Sequence, residues 1–362
     1  MSILPATEIT PPDRPRKSPS GELPAVQPPT VGFILQLFVI PMVIVTIIVV
    51  IWLLFNWLAH MGTNPTELVR DLRKPNDARW QKALTLADLL RNPQNAHLKK
   101  DQALGKELAD VLTDEIRAAR MEETPIQLRV FLCRALGEFE TPEVLPSLLA
   151  AARTERAPIE VQVQRSAIQS LAVYIKNNDP EKLRDHPELM GALLDAARER
   201  SDSDSDNAKA ELRSTAAFAL GMLGSDQALG QLDVLLGDAY PNARYNAAVA
   251  LCRHGDPRAL PVLVEMLDPE NDESVSRESE EEGKPWKRLL VMENGIRAAA
   301  QLVEKNKSDD LSSLAAALEK IEQSGLPKFK ASARRGIRIE ANEVLIRLKE
   351  RASQRQPARI NP

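Results

Sequence analysis

Two neighbouring stretches of this chain align without a gap at an offset of 31 residues. The first is LRSTAAFALGMLGSDQALGQLDVLL, Leu212 to Leu236, and the second is ARYNAAVALCRHGDPRALPVLVEML, Ala243 to Leu267. Arg213 falls on Arg244, Ala216 on Ala247, Ala219 on Ala250, Leu220 on Leu251 and Gly224 on Gly255; Leu229, Leu232 and Leu236 fall on Leu260, Leu263 and Leu267. A unit this short cannot cover its own apolar face, so neighbours must stack to bury it. Leu212, Ala216, Ala219, Leu220 and Leu223 form one stripe at steps of three and four, the spacing of a helix with one buried side. Gly224 ends that helix, because glycine accepts the left-handed cap conformation. Leu229, Leu232, Leu235 and Leu236 form the stripe of a second helix. Each unit is therefore a helical hairpin.

The same grammar recurs along the chain. Leu128 to Leu149 places Arg129, Ala135, Leu136 and Leu145 in matching slots. Val163 to Ile175 starts another unit, with Glu188 to Ala197 as its second helix. Ala78 to Leu90 reads as a degenerate first unit, Ile296 to Val303 with Leu311 to Ile321 as a late one, and Ala341 to Leu348 as part of a closing helix. Aromatics are only 4%, and alanine and leucine dominate, which suits close helix contacts.

Leu212 and Arg213, the run Ala219, Leu220 and Gly221, the pair Gly255 and Asp256, and the run Ala259, Leu260 and Pro261 resemble HEAT repeats. The likeness is to the short bacterial kind also found in phycobilisome-lyase-like proteins. It is closest over Leu128 to Pro269 and looser over Ala78 to Leu348. The resemblance implies an all-α, HEAT-like α-solenoid of about six helical hairpins. It also implies a binding scaffold more than an enzyme, although a few members are enzymes or enzyme partners. In that family the Arg129, Arg213 and Arg244 slot is structural.

A second feature sets where such a solenoid works. Val31 to Ala59 runs for 29 positions without a charge, and no Asp, Glu, Lys or Arg lies between Glu22 and Glu67. A helix rises about 1.5 Å per residue, so roughly 20 residues cross the hydrocarbon core. Trp52 and Trp57 sit near one end, as indole rings at a membrane boundary do, and Pro41 is a candidate kink. The run exceeds the roughly 7–15 apolar residues of a cleaved signal peptide, and Leu58, Ala59 and His60 make a poor cleavage site. One retained transmembrane helix is expected. Arg14, Arg16 and Lys17 before it nearly balance Arg70, Arg73, Lys74 and Arg79 after it, so the positive-inside rule leaves the orientation open.

The expected organisation is a disordered Pro-rich tail at 1–30, a transmembrane helix at 31–59, a solenoid at 66–352 and a disordered C-terminal tail at 353–362. Two inserts interrupt the stack, Arg200 to Lys209 and the acidic Pro269 to Pro285. The second is expected to stay solvated and to project from one edge.

Signals for chemistry are few. Asp202, Asp204 and Asp206 resemble the start of an EF-hand loop, but position 12 is Arg213 where calcium needs a bidentate Glu. His60, His97, His186 and His254 lack a second ligand at metal spacing, and His254 fits a partly buried helix end. Cys133 and Cys252 sit in apolar helical patterns as small core residues. No metal, cofactor or catalytic residue is expected. The chain is expected not to be an enzyme, and its formal charge of −4 argues against nucleic acid. The function expected is a membrane-anchored scaffold for other proteins, held through Val31 to Ala59, single-pass, in a bacterial inner membrane. The rivals are an accessory enzyme or lyase-like chaperone acting on a partner-bound cofactor, and a structural subunit of a membrane complex. The candidate partner ridge comprises Arg134, Glu138, Phe218, Met222, Tyr245, Val249 and Arg253, because exposed aromatics and arginines dominate interface energetics.

Overall fold

The computed structural model describes residues 31–60, 64–198 and 207–355. The chain divides into two units, Met1–Gly62 and Thr63–Pro362. The Pro-rich tail, the three EF-hand-like aspartates and residues 356–362 lie outside the described residues.

In the first unit one helix, α1 (Val31–His60), runs unbroken through Pro41. Within it Leu35–Phe55, 21 residues with mean hydropathy 3.1, is long and apolar enough to cross a membrane. All of its described side chains are exposed, Trp52 among them. Thr46 Oγ1 donates to Met42 O at 2.7 Å, so even this polar side chain is satisfied inside the helix.

The second unit is all helical among its described residues. It begins with α2 (Pro65–Leu72), α3 (Arg79–Arg91), α4 (Gln102–Ala118) and α5 (Glu123–Leu136). It continues with α6 (Leu145–Ala152), α7 (Val161–Asn177), the single turn α8 (Pro180–Leu183) and α9 (Pro187–Arg198). The central hairpins are α10 (Asn207–Leu223) with α11 (Asp226–Leu235), and α12 (Pro241–Arg253) with α13 (Leu260–Leu267). The end is α14 (Lys284–Lys305), α15 (Ser312–Gln323) and α16 (Ala331–Arg355). The alternate helices α3, α5, α7, α10, α12, α14 and α16 pack in succession as one row. Helices α2, α4, α6, α9 and α11 form a second row beside it, which α13 and α15 extend. The buried leucines and alanines of both rows merge into one continuous core. This is a HEAT-like α-solenoid.

Local chemistry accounts for the punctuation. Gly224 and Gly255, aligned by the repeat, both adopt positive φ, at 64° and 75°, where a side chain would be strained. Ser225 then caps α11 by accepting from the Ala228 amide at 3.3 Å. Leu220 and Leu251 are fully buried in equivalent places. The repeat arginines each hold an acid in a neighbouring segment. Arg129 meets Glu160 at 2.7 Å with both side chains fully buried, Arg213 meets Asp238 at 2.7 Å, and Arg244 meets Glu265 at 2.8 Å.

The structure refines three expectations. The stack has an additional second-row helix, α4, begun by Asp101 accepting from the Leu104 amide at 3.0 Å and buried through Leu104, Leu108, Val111 and Leu112. The last helix extends to Arg355, past the tail boundary placed at 353. The acidic insert keeps most of its acids exposed, as a solvated run should, but it is pinned to the stack. Ser274 and Val275 are buried, and cations pair with the acids at its start and just before it. Asp268 meets Lys320 at 2.8 Å, Glu270 meets Lys328 at 3.1 Å, and Asp272 meets both Arg288 and Lys328 at 2.9 Å. Glu270, Asp272, Glu273 and the tip, 279–282, are exposed.

Candidate interaction surface

The outward side of the first row carries an exposed aromatic ring at its centre. Phe218 on α10 is 41% exposed although its neighbours Ala217 and Ala219 are fully buried. The Arg253 guanidinium, one hairpin on, lies 5.9 Å from the Phe218 ring centroid and donates to Met222 Sδ at 3.1 Å. Burial holds Arg253 below its usual pKa, so this cation is partly desolvated in place. Val249 is half-buried on the same helix and packs on the core. A shallow groove of about 370 Å³ opens beside Phe218. Its walls come from three consecutive first-row helices and the turn before the last: Gln169 on α7, Ser214 and Thr215 on α10, Tyr240 before α12, and Asn242 and Asn246 on α12. Asn246 Nδ2 donates to Ser214 O at 3.0 Å and to Ser214 Oγ at 2.9 Å. Asn242 Nδ2 donates to the Tyr240 hydroxyl at 3.0 Å. Arg165 and Glu211 pair across the groove and neutralise each other.

The structure thus brings Phe218, Met222, Val249 and Arg253 together. It removes two other members of the predicted ridge. Tyr245 is 4% exposed; its hydroxyl donates to Glu265 Oε1 at 2.8 Å and accepts from Asn271 at 3.1 Å. Burial raises its pKa and keeps it a neutral donor. Glu138 is 7% exposed, accepts from Lys99 at 2.9 Å and lies 3.5 Å from Arg91. Both are buried because partners distant in sequence, beyond the reach of a helical-face argument, close over them.

Arg134 is exposed but belongs to a separate cluster on α3 and α5. Its guanidinium sits 5.0 Å from the Phe131 ring, which stacks on Trp80 with centroids 5.8 Å apart. Trp80 and Phe131 were absent from the predicted ridge. The spacing of Phe131 three residues before Arg134 was the available signal.

No arrangement typical of catalysis emerges among the described residues. Burial pushes the Cys133 and Cys252 thiols up to about 12, far from a reactive thiolate. The half-buried His254 places Nε2 2.8 Å from the Gly221 carbonyl, a structural contact at the end of α10. No group of three or more metal-ligating side chains forms among the described residues. A cavity of about 850 Å³ lies at α2 to α5, where Glu115 pairs with Arg79 at 2.8 Å and with Arg120 at 2.6 Å.

HEAT repeats match this chain over residues 192–282, the stretch that holds the end of α9, α10 to α13 and the α10 and α12 walls of the groove beside Phe218. No curated protein matches the sequence. Among solved structures the chain is similar to human deoxyhypusine hydroxylase in complex with glycerol, at 19% identity and a TM-score of 0.28. The match covers 78% of this chain and 96% of that one. The expectation that the chain is not an enzyme is withdrawn, since the similar protein is a hydroxylase. A likeness at that score assigns no activity here.

Proposed function

We propose that the chain is a membrane-anchored scaffold that binds other proteins on the outward side of its first helix row. The observation that carries this reading is the half-exposed Phe218 ring under Arg253, beside a groove walled by neutral hydrogen-bonding side chains. An exposed aromatic flanked by a partly desolvated arginine is the composition of an interface anchor. Gln169, Asn242 and Asn246 offer carboxamides that suit the peptide groups of a polypeptide partner. The surface exists only when α7, α10 and α12 stack, as expected of a solenoid that presents an extended face to partners. The 21-residue apolar stretch of α1 supports a single-pass anchor that fixes the location of this face.

The test is site-specific crosslinking in membranes. A photoreactive benzoylphenylalanine at position 218 should yield adducts, and Arg253→Ala should diminish them. Adducts obtained only from the second row, for example from Val234 on α11, which is 64% exposed, would place the binding face elsewhere. The anchor is tested separately by alkaline extraction: the chain should stay in the membrane pellet, and release as a shortened protein would identify the apolar helix as a cleaved signal.

A further inference from the structure

Helix α16 closes the stack and leaves one side uncovered among the described residues. Ile337, Ala341, Val344, Leu345 and Leu348 bury the other side. Ile339 lies opposite them and is 54% exposed. The segment leading to it, 328–338, contains Lys328, Lys330, Arg334, Arg335 and Arg338 and no acid. Lys328 is neutralised by Glu270 and Asp272. The other four are in no ion pair among the described residues. Arg334 Nε donates to Phe329 O at 2.8 Å and Arg338 Nη2 to Ser324 O at 2.5 Å. These contacts aim two guanidiniums without cancelling their charge. Lys330, Arg335 and Arg338 are exposed. An overall acidic chain therefore concentrates uncompensated positive charge around a large exposed aliphatic side chain.

We propose that this end of the solenoid, residues 330–339, docks on the surface of an anionic phospholipid bilayer. Charge complementarity identifies the occupant. Lys and Arg near a leaflet of anionic lipid are attracted within a Debye length, and an adjacent apolar side chain enters the headgroup region. Nucleic acid fits less well: a single strand asks for aromatic stacking platforms, and the one aromatic of the segment, Phe329, is buried, while the phosphates of a duplex offer the exposed Ile339 no apolar phase. The contact is confined to the segment up to Ile339, because Glu340 and Glu343 follow it with exposed negative charge. The inference goes beyond the scaffold reading and does not require the α1 anchor.

The full chain offers a clean probe. Cys133 and Cys252 are fully buried, so Ile339→Cys supplies the one exposed thiol among the described residues. Labelled there with an environment-sensitive nitrobenzoxadiazole dye, the chain is reconstituted into vesicles of phosphatidylcholine alone or mixed with phosphatidylglycerol. Emission should rise severalfold in the anionic vesicles and be quenched by a spin-labelled lipid. The rise should vanish in 1 M salt, where the Debye length is about 3 Å. It should also vanish in a Lys330→Gln, Arg335→Gln, Arg338→Gln variant whose helical circular dichroism is unchanged. Equal emission in both vesicle types, or a rise that survives the triple variant, would overturn the proposal. Flotation separates this from the anchor. A chain that floats with neutral vesicles but shows no anionic response has its anchor and lacks this surface. A chain that floats only with anionic vesicles, with the dye response, has this surface and lacks the anchor.

Discussion

Gly221→Ala and Gly230→Ala make the same substitution in successive helices of one hairpin and should have opposite signs. A Cβ at Gly221 on α10 would lie 2.4 Å from Ala250 Cβ and 3.2 Å from Ala250 Cα on α12. Carbon atoms rest at about 3.5–4.0 Å, so α10 and α12 must part by roughly an ångström. Backbone stands in the way, and no rotamer relieves it. Overpacking of this kind costs about 1–3 kcal/mol. Removing a mid-helix glycine returns about 0.5–1 kcal/mol. The net expectation is a loss of about 1–2 kcal/mol. A Cβ at Gly230 on α11 meets nothing within 4 Å. Only the propensity gain remains there, a stabilisation of about 0.5–1 kcal/mol. Urea unfolding followed by circular dichroism would measure both as shifts of the midpoint. Combining Gly221→Ala with Ala250→Gly should recover part of the loss, a favourable coupling of about 1 kcal/mol. If Gly221→Ala stabilises as Gly230→Ala does, or if the double variant shows no coupling, the close approach of α10 and α12 is not what requires glycine.

Two further outcomes follow from buried groups. Leu220→Asp and Leu251→Asp should each destabilise by several kcal/mol and by similar amounts, since each is fully buried at an equivalent slot; unchanged thermal midpoints would refute this. Arg129→Met should cost about 3–5 kcal/mol at neutral pH by removing one of the cations that hold the buried Glu160. Burial pushes Glu160 up, but hydrogen bonds from Arg156 and Arg129 outweigh it and hold the carboxyl below its usual value. That stabilisation is complete above the unfolded pKa of about 4.3 and is lost as pH falls through the depressed folded value. The difference between wild type and Arg129→Met should therefore shrink on acidification, and a constant or growing difference would contradict the assignment.

The sequence alone carried the repeat, its hairpins and their buried stripes. Helical periodicity and the left-handed turn at Gly224 and Gly255 are local properties, and they leave a local pattern of leucines and glycines. It also carried the apolar helix α1, whose length and lack of charge need no partner to be seen. What it could not decide was which outward-looking side chains stay outward. Phe218 and Tyr245 are both aromatics on first-row helices, yet Phe218 remains 41% exposed and Tyr245 only 4%. The difference is made by Glu265 and Asn271, some 20 and 26 residues beyond Tyr245, which hydrogen-bond over it. The start of the acidic insert is pinned for the same reason, because Lys328, the partner of Glu270 and Asp272, arrives from the end of the stack. Gly221 reads in sequence as a weak spot in a helix, and only the packing of α12 against it supplies a reason for its missing side chain. Periodicity is written residue by residue, whereas burial of a polar or aromatic group depends on what distant segments bring to it.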